Sequence, residues 1–96
     1  MRIARVVGSA VSTIKEDSLR GAKLLVVRDA SVDDQITGEP YVAVDAVGAG
    51  EGELVLVSAG SAGRFTATTR DTPVDAVIMA ILDSMEVSGE VTFRKG

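Results

Sequence analysis

The chain has 96 residues, 10 of them basic and 14 acidic, for a net charge of −4, with no His and no Cys. Those absences exclude Cys- and His-based triads, Cys/His zinc sites, haem attachment, iron–sulfur clusters and disulfide frameworks. The acidic balance argues against a partner tracked through its phosphates, because such affinity rests on clustered Lys and Arg.

The length fits one domain. A chain of this size buries roughly 60–65% of its unfolded surface, enough to fold without staples. The apolar fraction is 46%, yet there are only two Phe, one Tyr and no Trp. Val, Ile and Thr together supply 27 β-branched residues, beside 10 Gly and 2 Pro. That mixture favours strands and tight turns over helices. No run of about 18 apolar residues exists to span a membrane. The opening Met-Arg-Ile-Ala-Arg-Val-Val-Gly is broken too early by Arg5 and Gly8 for a signal peptide, and a cytoplasmic location is the default.

The first strand is expected at Ile3–Thr13, with Gly8 marking a bend or a close backbone approach. Asp17–Gly21 is a turn leading to a second strand at Ala22–Arg28. Asp29–Pro40 reads as a polar loop of twelve residues. The third strand is expected at Tyr41–Val47, followed by a glycine turn at Gly48–Gly52. The fourth strand is Glu53–Ser58. Strands joined by turns, without long helices between, point to antiparallel pairing in a small barrel or sandwich. Pro73–Glu86 is ambiguous, and periodicity alone slightly favours a helix. Val74, Val77, Ile78, Ile81, Leu82 and Met85 fall at helical spacing, while Val74, Ala76, Ile78, Ala80 and Leu82 alternate as in a strand. Val87–Gly96 reads as a short edge strand or a tail.

Leu24–Val27 and Leu54–Val57 are apolar on both faces. In an α/β protein helices would cover the second face, and this chain has none to spare. A lumen on one side and a neighbouring subunit on the other would hide both, which points to a homo-oligomer. Loops and the C-terminal segment covering the outside are the alternative.

Little chemistry is visible. Gly48-Ala49-Gly50-Glu51-Gly52-Glu53 departs from a dinucleotide fingerprint: the spacing is Gly-x-Gly-x-Gly, two carboxylates sit within it, and a strand follows instead of a helix. Carboxylates repel phosphate, so the glycines are read as turn residues with positive φ in a hairpin. Asp29, Asp33, Asp34 and Glu39 lack the spacing of a calcium loop and read as an acidic solvated loop. Ser9, Ser12, Ser58 and Ser61 have no His to activate them, and no motif supports a Ser–Lys dyad with Lys15 or Lys23. Neither a catalytic site, a metal site nor a cofactor is expected. Binding of single-stranded nucleic acid or another ligand on a small barrel is the alternative function. Tyr41, Phe65 and Phe93 are too scattered to form stacking platforms for it.

Several stretches together carry a resemblance. They are Val6-Val7-Gly8 with Thr13 and Lys15, Leu24-Leu25-Val26-Val27, Val42 through Glu53 (Val-Ala-Val-Asp-Ala-Val-Gly-Ala-Gly-Glu-Gly-Glu), Gly60-Ser61, Arg64, and Pro73 through Asp83. In that order they resemble the EutN/CcmL family of bacterial microcompartment shell vertex proteins. The resemblance runs from Met1 to about Val87. It implies a mainly β, five-stranded, OB-like barrel with one short helix, assembled as a cyclic homopentamer. It implies a barrel domain at 1–87, with 88–96 an added strand or tail, and makes Pro73–Glu86 largely the fifth strand. It implies a structural, non-enzymatic role in the shell within the cytoplasm, beside hexameric shell proteins, while the charge and the lack of a long apolar run leave neither nucleic acid nor membrane as an expected partner. The family often shows Gly-Ser-Ser-Ala-Arg as a short helix. Here Gly60-Ser61-Ala62-Gly63-Arg64 places a glycine in it, costing about 1 kcal/mol.

Small residues beside charges suit close packing between subunits. Gly48, Gly50, Glu51, Gly52, Glu53, Ser61 and Arg64 are accordingly expected near the contacts around the fivefold axis, with Glu51 or Glu53 pairing with Arg64 across the interface. Asp45 and Asp83, in otherwise apolar stretches, are expected to satisfy backbone or turn groups.

Overall fold

The computed structural model describes residues 1–11, 22–59 and 76–96. Seven strands follow one another: β1 (Arg2–Ala10), β2 (Lys23–Ala30), β3 (Ile36–Asp45), β4 (Leu54–Ala59), β5 (Ala76–Ile81), β6 (Ser84–Val87) and β7 (Glu90–Arg94). The first five close into a barrel in the order β1-β2-β3-β5-β4, and β6 and β7 form a separate hairpin.

Side chains alternate between lumen and exterior, as the period of two requires. Ala4 and Val6, Leu25 and Val27, Ala43, Val55 and Val57, and Ala76 and Ile78 meet in one core. A five-stranded barrel is narrow, and alternating small and larger residues fill its taper. The Ala- and Val-rich, aromatic-poor composition matches that limited volume. Burying a side chain such as Ile78, wholly hidden here, contributes about 1.5–3 kcal/mol.

Several expectations are corrected. β3 begins at Ile36, so the twelve-residue loop shrinks to the segment between Ala30 and Ile36. Its outer half pairs with β2 through Pro40↔Arg28 and Ala30↔Ile36, with a bulge between. Cross-strand pairing there overrides turn-forming residues. Gly48–Gly52 is not a hairpin. It leads from β3 to β4, and β5 lies between those two strands. The pairing is not wholly antiparallel either: β3 and β5 run parallel through Val44↔Val77 and Asp45↔Ile78. Gly8 does sit at an irregularity, where the β1–β2 register shifts between Val6 and Gly8.

Of Pro73–Glu86, Ala76–Ile81 is the barrel's fifth strand, while Ser84–Glu86 belongs to the hairpin. The short helix is not borne out. No helix occurs among the described residues, and Gly60–Arg64 lies outside them. The turn at Asp17–Gly21, Thr13, Lys15, Phe65 and Pro73–Asp75 also lie outside them.

The hairpin turns at Ser88 (φ 52°) and Gly89 (φ 83°), which falls at the boundary drawn between 87 and 88. Two positive-φ residues are the pattern of a type I′ turn. Alone, a two-stranded hairpin is marginal in water. This one is tied to the barrel. The Leu82 amide, just ahead of it, donates to the Leu54 carbonyl at 2.8 Å, while the Lys95 amide closes the hairpin's own base on the Asp83 carbonyl at 2.8 Å. The Arg5 guanidinium lies 5.9 Å from the centre of the Phe93 ring.

Candidate functional site

The expected site centres on the segment after β3. Asp45 ends that strand with a buried carboxylate. Its Oδ1 accepts the Val47 amide at 3.0 Å and the Gly48 amide at 3.1 Å. Gly48 then takes a φ of 79°, which a side chain rarely tolerates, and turns the chain inward. Ala49 follows, wholly buried in the barrel core. Beyond it, Glu53 closes a reciprocal pair. Its Oε1 accepts the Gly50 amide at 2.7 Å, and its own amide donates to the Gly50 carbonyl at 3.1 Å. Gly52, at φ 89°, makes the return. The segment then docks on β1: Gly52 N donates to Val6 O at 2.8 Å and Val6 N to Glu53 O at 2.9 Å.

Three cations reach the loop from elsewhere. Lys23 donates to the Ala49 carbonyl at 2.6 Å and lies 3.7 Å from Asp45 Oδ2. Arg5 donates through Nη1 to the Gly52 carbonyl at 2.6 Å and pairs through Nη2 with Asp34. Lys95, just past the hairpin, meets Glu53 Oε2 at 2.7 Å. The hydrogen bond from Lys95, then that from the Gly50 amide, hold the Glu53 carboxyl below its ordinary pKa, and Glu53 raises that of Lys95. None of these three cations stood out in the sequence. Arg5 and Lys23 were isolated charges beside apolar stretches, and Lys95 stood beside Arg94 in the terminal segment.

Of the expected contact residues, Gly48, Gly50, Glu51, Gly52 and Glu53 are thus one clamped loop. Gly48, Glu51 and Gly52 are exposed, and Gly50 and Glu53 half-buried. Ser61 and Arg64 lie outside the described residues. Asp45 satisfies turn amides as expected. The Asp83 contact with Lys95 is made by its main-chain carbonyl.

A second polar group lies on the opposite sequence flank. The Tyr41 hydroxyl donates to Asp29 Oδ1 at 2.6 Å, Arg2 Nη1 lies 3.3 Å from Asp29 Oδ2, and Arg2 stacks 4.8 Å from the Tyr41 ring centre. They line an open cavity of about 550 Å³. Burial first, then the Asp29 hydrogen bond and charge, push the Tyr41 phenol up to about 12, so it stays protonated at neutral pH. Both groups hold backbone and barrel in place, and neither sets a base against a nucleophile.

The outer wall of the barrel is apolar in two places. Val42, 50% exposed, opposes Val26 across β2 and β3. Beside them Leu24, Val44, Val77 and Met79 form a second apolar cluster. Across β1 and β4, Ile3 opposes Leu56.

The family model described as "Ethanolamine utilisation protein EutN/carboxysome" matches residues 1–83, the barrel up to the hairpin. The chain belongs to the EutN/CcmL family. Among EutN/CcmL relatives, the carboxysome shell vertex protein CcmL of Synechococcus elongatus is 45% identical over 95 residues, 99% of this chain and 96% of that protein. The bacterial microcompartment shell vertex protein PduN of Salmonella typhimurium is 45% identical over 89 residues, 88% of this chain and 98% of that one. The solved structure of Gloeobacter violaceus CcmL superposes with a TM-score of 0.91 at 41% identity, covering 99% of this chain and 98% of that one. GrpN of Rhodospirillum rubrum, described as a pentameric microcompartment shell protein, gives 0.81 at 41% identity over 91% of this chain and 99% of its own.

Proposed function

We propose that this chain assembles as a homopentamer and forms the vertices of a polyhedral microcompartment shell in the bacterial cytoplasm. Hexameric shell proteins tile a flat sheet, and fivefold units inserted at its corners let the sheet close. The role is structural and non-enzymatic. The observation that carries this reading is the end-to-end match to shell vertex proteins, at 45% identity over 99% of the chain for one of them. The closed barrel supports it, because it is a rigid block with apolar surface left on its outside.

Within that ring, Gly48, Gly50, Glu51, Gly52, Glu53, Ser61 and Arg64 lie near the subunit contacts. Glu53 already spends both carboxylate oxygens inside its own chain. Exposed Glu51 is therefore the carboxylate that would face Arg64 of a neighbour. Co-expression with hexameric shell proteins tests the function. Electron microscopy should show closed polyhedra with this chain and open sheets or tubes without it. Closed polyhedra in its absence would contradict the role.

A further inference from the structure

We propose that the C-terminal hairpin is a strap on the glycine loop. Through Lys95, a positioning residue, it holds Gly48–Glu53 in the shape that ring assembly uses, so hairpin docking and ring strength rise and fall together. This rests on the reading that the loop lies near the subunit contacts, and adds what sets the loop's shape.

Three of the six residues from Gly48 to Glu53 are glycine, and Gly48 and Gly52 take positive φ. Glycine loses the most conformational freedom on ordering, so such a segment keeps one shape only where other groups hold it. Glu53 is the centre of that hold. Its Oε1 accepts the Gly50 amide at 2.7 Å, and its Oε2 meets Lys95 Nζ at 2.7 Å. One carboxylate therefore ties the loop to the chain just past the hairpin. The Lys95 amide is bonded to the Asp83 carbonyl at 2.8 Å, so the ammonium reaches Glu53 from the closed base of the hairpin. A second contact lands one residue away. Arg5 donates to the Gly52 carbonyl at 2.6 Å, and its guanidinium lies 5.9 Å from the centre of the Phe93 ring.

The hairpin can lift without unzipping the barrel. β6 and β7 form a sheet of their own, so the contacts broken are those of side chains and no barrel ladder opens. Lys95 is 46% exposed in its pair with Glu53. An ion pair so exposed shifts a local opening equilibrium by about two- to fivefold, enough to tune the loop without deciding the fold.

The test uses point variants of the full chain. Amide hydrogen exchange by NMR follows the Gly50 N–H, and subunit exchange between labelled and unlabelled rings by native mass spectrometry follows ring strength. Lys95→Met keeps the aliphatic stem and loses the charge. It should speed Gly50 exchange by about two- to fivefold and speed subunit exchange as well. Lys95→Arg should restore both. Arg94→Met, at the exposed neighbouring residue, should change neither. The swap Glu53→Lys/Lys95→Glu restores an ion pair, but lysine offers no acceptor, so Gly50 should stay fast. Unchanged Gly50 exchange in Lys95→Met, or full protection in the swap, overturns the strap. Faster Gly50 exchange with unchanged subunit exchange overturns its link to the ring. A wild-type mass of 9.9 kDa removes the pentamer reading and the link with it, and the Gly50 measurement still decides the strap.

Discussion

Replacing Asp45 by alanine removes a carboxylate whose side chain is 2% exposed. Its Oδ1 holds the Val47 and Gly48 amides at 3.0 and 3.1 Å. A hydrogen bond to a charged group contributes about 1.5–3 kcal/mol. Two of them set a range of about 3–6 kcal/mol. Val47 and Gly48 are exposed, so water can replace part of what is lost, and the expected cost is about 3 kcal/mol. Lys23, half exposed at 3.7 Å, adds at most about 1 kcal/mol as an ion pair. Asparagine keeps an acceptor at Oδ1 and loses mainly the charge, so Asp45→Asn should cost about 1 kcal/mol. The assay is urea unfolding at one fixed subunit concentration, because an oligomer's midpoint moves with concentration. With a slope of about 1–3 kcal/mol per molar urea, alanine should lower the midpoint by about 1–3 M. An alanine variant within about 0.5 kcal/mol of wild type, the scatter of ordinary surface changes, would refute the capping role. So would an asparagine variant as damaged as the alanine one.

Two further predictions concern titration. Glu53 has a depressed pKa, so its contribution is present above the unfolded value and lost as pH falls through the folded one. Lys95 has a raised pKa, and its share is lost only as pH rises through its folded value. Glu53→Gln should therefore be less stable than wild type at neutral pH, with the gap closing in acid. A gap independent of pH in unfolding midpoints would contradict the latch between loop and hairpin. The single Tyr41 should titrate near 12 by ultraviolet absorbance, and Asp29→Asn should lower that midpoint. Titration of the wild type at the ordinary value of 10.0 would show that the phenol is not held by Asp29.

Three strands were legible because their apolar residues are dense and local: β1, β2 and β4 each lie close to the stretches expected for them. The outer half of β3 was not. Ile36, Thr37, Gly38, Glu39 and Pro40 carry turn and surface signals, and only the partner residues on β2 make them a strand. The insertion of β5 between β3 and β4 is a long-range choice that no local pattern encodes. Over Pro73–Glu86 periodicity alone slightly favoured a helix. The family resemblance decided in favour of the strand, which the barrel contains. The glycine loop stood out in the sequence, but its clamps did not. Lys23 and Arg5 reach it across 26 and 47 residues of chain, and a lone charge gives no hint of such a partner.

The central claim is that these barrels form a closed ring of five. Native mass spectrometry of the full chain near neutral pH tests it most directly. The account predicts a single species near 50 kDa, five times the 9.9 kDa chain. A species of 9.9 kDa, or a dimer of twice that mass, would contradict it.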